Sequence, residues 1–282
     1  MMAIPPITPL EFQQISVLLR DQCGLYLQED QAYLVETRLR DFVQNLGLAG
    51  YGELYLRLRY EPERLLPMVI NLMTTNETFW FRDESCWNAV EKAILPMLLQ
   101  KLERGSGRVK IWIAGCSTGQ EAYSLAMLID EICLKRGKPE LARAFDIQAM
   151  DISLAALDVA RSGRYNDFDI RRGLSETRRG RYFERQADNR WLLQPNIRLR
   201  VRFDAINLAR DFSWLGKFDL IFCRNVTIYF TPPVRERILT QMAAMLEPGG
   251  ALLLGATESV WGGRGNFRTV EFEGCIFISK PG

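Results

Sequence analysis

Histidine is missing from this chain altogether. Its absence excludes every mechanism that needs an imidazole base, including Ser-His-Asp and Cys-His nucleophile pairs. The six cysteines (Cys23, Cys86, Cys116, Cys133, Cys223 and Cys275) never fall into C-x-x-C spacing, so neither a zinc site nor a disulfide framework is expected. They read as buried thiols in a reducing compartment, and no metal is expected. No stretch reaches the roughly 18 uninterrupted apolar residues of a spanning helix. The opening MMAIPPITPLEFQQ lacks the basic segment and apolar run of a secretory signal, so the expectation is a cytoplasmic protein without membrane insertion. What chemistry there is must rest on Arg, Tyr, carboxylates and a bound cofactor.

What is present is ordinary for a globular protein: 48% hydrophobic and 25% charged residues over 282 positions, room for a large domain plus a small one. The net charge of +2 points to no particular partner. Its distribution is less even. Between Asp158 and Arg210 the chain carries 13 Arg, no Lys and 7 acidic residues. Such a band either faces an acidic protein, nucleic acid or phospholipid, or is a solvated surface of salt bridges. Composition leaves both open.

Periodicity divides the chain in two. From about Thr8 to Met73 the pattern is helical, with Leu10, Ile15, Leu18 and Leu19 on one face. Tyr33, Leu34, Leu39, Phe42, Val43 and Leu46 continue the pattern to a stop at Asn45-Leu46-Gly47. Two shorter helices follow over Tyr51–Arg59 and Glu63–Met73, the second started by Pro62. This predicts an N-terminal helical domain over residues 1–75. From about Arg108 the pattern becomes strand–helix alternation (RVKIWIAG, QEAYSLAMLIDEICLKRG, FDIQAMDI, SLAALDVARSGRY, FDLIFC, PPVRERILTQMAAMLEPGG, ALLLGA), the signature of parallel βαβ units. The tail FRTVEFEGCIFISKP suits a hairpin turning at Glu273-Gly274. Three extended segments, RYFER, RWLLQ and NIRLRVRF, break the rhythm. The first two, with part of the third, predict a small antiparallel β insert at about 181–200 within a domain covering 76–282.

Four segments carry polar residues at places suited to chemistry. In Ile113-Ala114-Gly115-Cys116-Ser117-Thr118-Gly119-Gln120-Glu121 a strand turns through two glycines into a helix. In doubly wound folds nucleotides sit in that crevice, although a G-x-x-x-G turn can equally be only a tight turn. No G-x-x-x-x-G-K-[ST] is present, so a triphosphate would lack its lysine. Glu121 would repel a pyrophosphate but suits a cationic amine, or simply stabilises the helix start. Asp151, ending IQAMD, is placed to accept ribose hydroxyls, or to cap the helix beginning at Ser153. Asn207 and Leu208, after DAI, are suited to frame an adenine ring. Arg224, Asn225 and Tyr229, directly beyond the apolar run FDLIFC, form a candidate active-site floor. Finally, Thr74–Asp83 joins the two halves. Its Thr and Asn side chains suit a cofactor, and Arg82 suits a carboxylate.

Four segments now stand in order: TTNETFWFRDE, IAGCSTGQEAYSLAM, DISLAALDVARSGRY, and FDLIFCRNVTIYF with LEPGGALLLGATES. Together they resemble the CheR family of chemotaxis receptor methyltransferases, from about residue 10 to residue 280. The TN-x-T-x-x-FR-[DE], [ST]TG-x-E-x-YS and FCRN-x-x-IYF motifs carry the resemblance. It implies a Rossmann-like α/β methyltransferase domain with an N-terminal all-α domain and a small antiparallel β subdomain inserted in it. It also implies transfer of the methyl group of S-adenosylmethionine to the γ-carboxylate of receptor glutamates, giving a methyl ester and S-adenosylhomocysteine.

Carried onto matching positions, Asn76, Thr78, Arg82, Gly115, Glu121, Asp151, Asn207, Leu208, Arg224 and Asn225 would bind the cofactor. Arg82 would also orient the incoming carboxylate, and Tyr229 would shape the methyl-transfer pocket. Arg38 and Arg40 would help dock the cytoplasmic methylation helices of a chemoreceptor. The chain departs from the family pattern in places. Gln120 stands where many relatives have a second glutamate, and Ala122 where many have proline. The turn Gln186–Asn189 of the insert has no glycine, so the resemblance here implies no binding of a receptor's C-terminal pentapeptide. Two rival readings are an enzyme of the same build in a pathway other than chemotaxis, and a catalytically idle S-adenosylmethionine-binding scaffold or sensor. Intact Arg82, Asp151 and Tyr229 argue against the second. Nucleic-acid methylation lacks an NPPY-type loop for a flipped base and a strongly basic chain.

Overall fold

The computed structural model describes residues 4–105, 107–256, 258 and 267–281. Four helices come first: α1 (Pro9–Cys23), α2 (Ala32–Asn45), α3 (Tyr51–Tyr60) and α4 (Pro62–Met73). Thr8 and Glu11 close a reciprocal capping box on α1, with Pro9 in its first turn. The buried stripe of α1 is Phe12, Ile15, Leu19 and Cys23, a 3-4-4 spacing that leaves Leu10 in the first turn, 63% exposed. In α2 the stripe is Val35, Leu39, Phe42 and Val43, while Tyr33 is 66% exposed. Both predicted faces therefore start too early, because an apolar residue in a first turn need not lie on the packed stripe. These stripes and those of α3 and α4 form one closed core.

A helical stretch then runs through α5 (Glu84–Ala89), a π-helical turn (Val90–Ile94) and α6 (Leu95–Glu103). The π turn lies just before Pro96, whose missing N–H would otherwise leave a carbonyl unmet. The main sheet is built from β1 (Val109–Ala114), β2 (Phe145–Asp151), β6 (Val201–Ala205), β7 (Phe218–Cys223), β8 (Leu246–Leu254), β9 (Arg268–Phe272) and β10 (Cys275–Ser279). Helices α7 (Gln120–Lys135), α8 (Leu154–Ser162) and α12 (Pro232–Ala244) connect its strands, and apolar clusters fill both of its faces. The order is β6-β2-β1-β7-β8-β10-β9, parallel from β6 through β8, with β10 antiparallel to both its neighbours. The expected hairpin is β9–β10. Winding reverses between β1 and β7, so a crevice opens at their carboxyl ends.

Two local expectations change. α12 ends at Ala244 and β8 already begins at Leu246, so Glu247–Gly250 is extended rather than the end of a helix. The second sheet, β3 (Arg164–Tyr165), β4 (Phe183–Arg185) and β5 (Trp191–Leu193) in the order β3-β5-β4, takes its third strand from upstream of the expected 181–200 segment. NIRLRVRF contributes nothing to it. Pro195 starts the one-turn helix α11 (Pro195–Arg198), and Val201 and Phe203 then alternate inward as β6 beside β2. Between β3 and β4 lie α9 (Asp167–Arg171) and α10 (Glu176–Tyr182).

The arginine band resolves as a salt-bridged surface. Arg178 grips Glu131 with two bonds, Arg181 and Arg200 share Asp130, Arg164 pairs with Asp188, and Arg202 with Asp146. No described helix is long and apolar enough to cross a membrane.

Candidate active site

A cleft of about 1050 Å³, counted to its open mouth, lies over the carboxyl ends of β1, β2 and β7. Ten of the sequence-predicted residues meet there: Asn76, Thr78, Arg82, Gly115, Glu121, Asp151, Leu208, Arg224, Asn225 and Tyr229. The glycine turn shapes one wall. Gly115 takes φ +75°, and a Cβ on it would lie 2.2 Å from Val226 Cγ2, so only glycine lets the loops after β1 and β7 approach this closely. Asp151, buried at the end of β2, accepts from Ser117 N at 2.7 Å and Ser153 N at 2.9 Å. Burial pushes its carboxyl above the usual range, and those backbone donors pull the other way. The acceptor directions not taken by backbone N–H groups are open to ribose hydroxyls. Asn76 reaches Ser153 Oγ at 3.3 Å and takes the Ser117 hydroxyl on its carbonyl at 2.9 Å.

Arg224 and Arg82 sit in the same cleft with opposite fates. Arg224, its side chain 2% exposed, donates to Glu121 Oε1 at 2.5 Å, Asp83 Oδ2 at 2.5 Å and the Arg82 carbonyl at 2.9 Å. A buried guanidinium requires such partners, because an unpaired one costs several kcal/mol, on the order of 3–5 when a buried pair is broken. Burial works against its charge, but Glu121, Cys86 and Asp83 more than offset that and hold its pKa above the ordinary arginine value. Burial also pushes Glu121 upward, with Arg224 opposing. Glu121 Oε2 is left without a protein hydrogen bond among the described residues. The Arg82 guanidinium has no ion pair or hydrogen bond among the described residues. It packs on the Phe79 ring, 5.5 Å from centroid to guanidinium carbon, and its charge also reaches Glu121, favouring the ionised carboxylate. Tyr229, in the turn Thr227–Tyr229, likewise keeps its hydroxyl unbonded, while its carbonyl accepts Tyr26 N at 2.9 Å.

Asn207 is the exception among the predicted residues. Its amide donates to Gln22 O at 2.7 Å and accepts Ala209 N at 2.9 Å, so it ties the end of α1 to the loop after β6, and its side chain is not in the cleft. Leu208 and Ile206 supply the apolar wall there. Away from the cleft, Arg38 bonds Met73 O at 2.6 Å and Thr75 Oγ1 at 3.0 Å, bracing the end of α4, whereas Arg40 stays half-exposed beside Glu36.

Sequence reasoning missed several contributors, Ile206 and Val226 among them. Cys23, the last residue of α1, and Leu25 just beyond it line the cleft, which no local motif announces. Glu258, in the segment GATES, is buried against the loop after β7. Its one sequence signal is an acidic residue directly beyond an apolar strand.

The donor set suits S-adenosylmethionine. Besides Glu77, which pairs with Arg172, the cleft sets the carboxylates of Glu121 and Asp151 beside apolar Ile206 and Leu208, and no lysine lines it. That combination matches a cationic amino acid with a ribose and a base. Among the described residues no group of three or more His, Cys, Asp or Glu is placed to hold a metal ion.

Comparison with known proteins agrees. Residues 10–74 match the family described as CheR methyltransferase, all-alpha domain, and residues 76–275 match CheR methyltransferase, SAM binding domain. The chain is 41% identical to chemotaxis protein methyltransferase 1 of Pseudomonas aeruginosa, covering 89% of this chain and 90% of that one. It is 40% identical to chemotaxis protein methyltransferase 1 of Vibrio cholerae, covering 97% and 98%. With both halves of the family present and the glycine turn, Asp151 and Glu121 gathered in one cleft, the chain belongs to the CheR methyltransferase family and is an S-adenosylmethionine-dependent methyltransferase.

Proposed function

We propose that the protein methylates glutamate side-chain carboxylates, as γ-methyl esters, on the cytoplasmic methylation helices of a chemoreceptor-like protein. The observation that carries this reading is the Arg82 guanidinium, which makes no ion pair or hydrogen bond among the described residues, in a cleft where Arg224 is held by two carboxylates. A cation with hydrogen-bond donors to spare beside the cofactor crevice suits an anionic acceptor. A solvent-exposed glutamate has a pKa of about 4.3, so it arrives ionised and needs no general base. A histidine-free site is therefore sufficient. When bound, S-adenosylmethionine supplies an already activated sulfonium methyl. The protein's share is alignment, which can contribute on the order of 7–11 kcal/mol. Glu121 Oε2 is available for the cofactor's ammonium group, Asp151 for its ribose and Leu208 for its base. Asn76 and Thr78 line the same cleft, Arg82 receives the acceptor carboxylate, and Tyr229 bounds the methyl-transfer pocket.

The experiment supplies labelled S-adenosylmethionine with receptor cytoplasmic fragments and scores base-labile label, the signature of a carboxyl ester. Arg82→Ala is expected to cut turnover at least 100-fold while S-adenosylhomocysteine still binds. Unchanged turnover in a folded Arg82→Ala protein would remove the carboxylate role, and base-stable label would remove the ester.

Docking is proposed to be independent of a receptor C-terminal pentapeptide. The β4–β5 turn is short and self-bonded: Gln186 N donates to Arg190 O at 2.7 Å and Asn189 N to Gln186 O at 3.1 Å. Titration calorimetry with a receptor pentapeptide should show no binding at micromolar concentration, and tight binding would overturn this. Arg40 remains the exposed candidate for docking on α2. Arg38 is proposed beside it, its guanidinium also bonding Met73 O and Thr75 Oγ1.

A further inference from the structure

Glu258 is buried, 6% exposed, yet no cation pairs with it among the described residues. Its carboxylate is held by donors alone. Oε2 accepts Asn225 N and Gly255 N, both at 2.7 Å. Oε1 accepts Val226 N at 3.2 Å, Thr227 N at 2.7 Å and the Thr227 hydroxyl at 2.6 Å. Three successive backbone N–H groups thus converge on one anion, forming a nest in which the protein's own side chain takes the ligand's place. Convergence requires the non-glycine Asn225 to adopt φ +58°, a conformation that costs energy unless its surroundings impose it.

The consequence reaches the cleft. Asn225 and Val226 line it, and Val226 is the residue that packs against Gly115. Glu258 itself does not line it. Because Gly255 follows the end of β8 and Asn225 follows β7, the carboxylate also joins the carboxyl ends of two neighbouring strands. We propose that Glu258 is a positioning residue for the cofactor: by filling the nest at 225–227 it fixes the wall formed by Asn225 and Val226, and so sets affinity for S-adenosylmethionine and S-adenosylhomocysteine. The inference holds whichever acceptor is methylated.

Glu258→Gln keeps the shape but replaces one oxygen with an amide NH2. Whichever oxygen is lost, a pair of N–H donors then faces another donor. Asp219→Asn is the control. Asp219 is also buried and accepts from Lys101 Nζ at 2.5 Å and Lys110 N at 2.8 Å, at the opposite end of β7. Calorimetric titration with S-adenosylhomocysteine, alongside thermal melts, should show Glu258→Gln binding at least tenfold more weakly. The KM for S-adenosylmethionine should rise in parallel, and the KM for the protein acceptor should move less than threefold. Asp219→Asn should lose thermal stability but keep wild-type affinity. If Glu258→Gln does not fold, Thr227→Val, which removes one of the five donors, should weaken binding by two- to fivefold. Wild-type affinity in the variant that folds, or a loss no greater than in Asp219→Asn, would overturn the proposal.

Discussion

The helical bundle and the inserted β sheet both press on the cofactor cleft, but they do so in different ways. The bundle contributes to the wall itself: Cys23 and Leu25 line the cleft, and the joint is made where Gln22 O accepts the Asn207 amide and Tyr26 N donates to Tyr229 O. The insert contributes no lining residue. It grips the loop that carries Arg82 from behind. Trp80 is fully buried edge-on to Tyr165 and Phe183, its backbone N–H donates to Arg172 O at 3.1 Å, and its indole N–H to Asp169 O at 3.1 Å. Arg178 lies 3.8 Å from the centroid of the Phe81 ring while bound to Glu131, and Arg172 pairs with Glu77. A wall should govern how well the cofactor binds. A brace should govern how well the acceptor step is aligned.

Breaking the brace should have the largest effect. Gly173 has φ +87°, and a Cβ there would lie 2.0 Å from Trp80 O, backbone that can yield only by moving the loop. Gly173→Ala is expected to lower kcat at least tenfold, with a smaller loss of S-adenosylhomocysteine affinity, read by single-turnover assays and calorimetry. The reverse ranking would make the insert part of the cofactor wall.

Loosening the bundle should give a smaller and opposite signature. Asn207→Ala removes the bond to Ala209 N and the one that crosses the joint to Gln22 O; the latter is worth about 0.5–1.5 kcal/mol net, so cofactor affinity should fall roughly two- to tenfold. The kcat at saturating S-adenosylmethionine should stay unchanged. A fall in kcat instead would put the bundle on the alignment side.

The smallest effect belongs to the rim of the insert. The Trp191 indole N–H, donating to Asp167 Oδ1 at 2.6 Å, holds this exposed carboxyl below its usual range. A carboxyl whose folded pKa is depressed contributes stability above its unfolded pKa, about 3.9, and loses it as pH falls through the folded value. Urea melts of Trp191→Phe and wild type should therefore differ at pH 7 and converge as pH is lowered from 5 to 2. S-adenosylhomocysteine affinity at pH 7 should be the same for both.

Much of this was legible in advance, for a physical reason. Buried parallel strands read as apolar runs, so the ends of IQAMD and FDLIFC marked Asp151 and Arg224 as residues at the carboxyl edge of a sheet. Two glycines after RVKIWIA marked the close turn beside them. Short-range signals failed where partners are distant in sequence. A strand of only two residues, Arg164–Tyr165, has no periodicity to read, so the insert's third strand went to NIRLRVRF instead. Asn207 looked like a base-reading amide because nothing local reveals that Gln22 lies within 2.7 Å of it.

The sequence by itself determined the alternation of strands and helices, the bundle ahead of it, the loops that carry the chemistry and the family to which the chain belongs. Those follow from local periodicity, backbone preferences and residues at set spacing. Only the tertiary structure decided which charges cancel. Arg82 and Arg224 are the same residue type in the first and last of the four motifs, yet Arg224 is neutralised by Glu121 and Asp83 while Arg82 makes no ion pair among the described residues. Ion pairing falls off within a few ångströms, and which groups come that close depends on how the loops after β1 and β7 fold against the segment between the two domains.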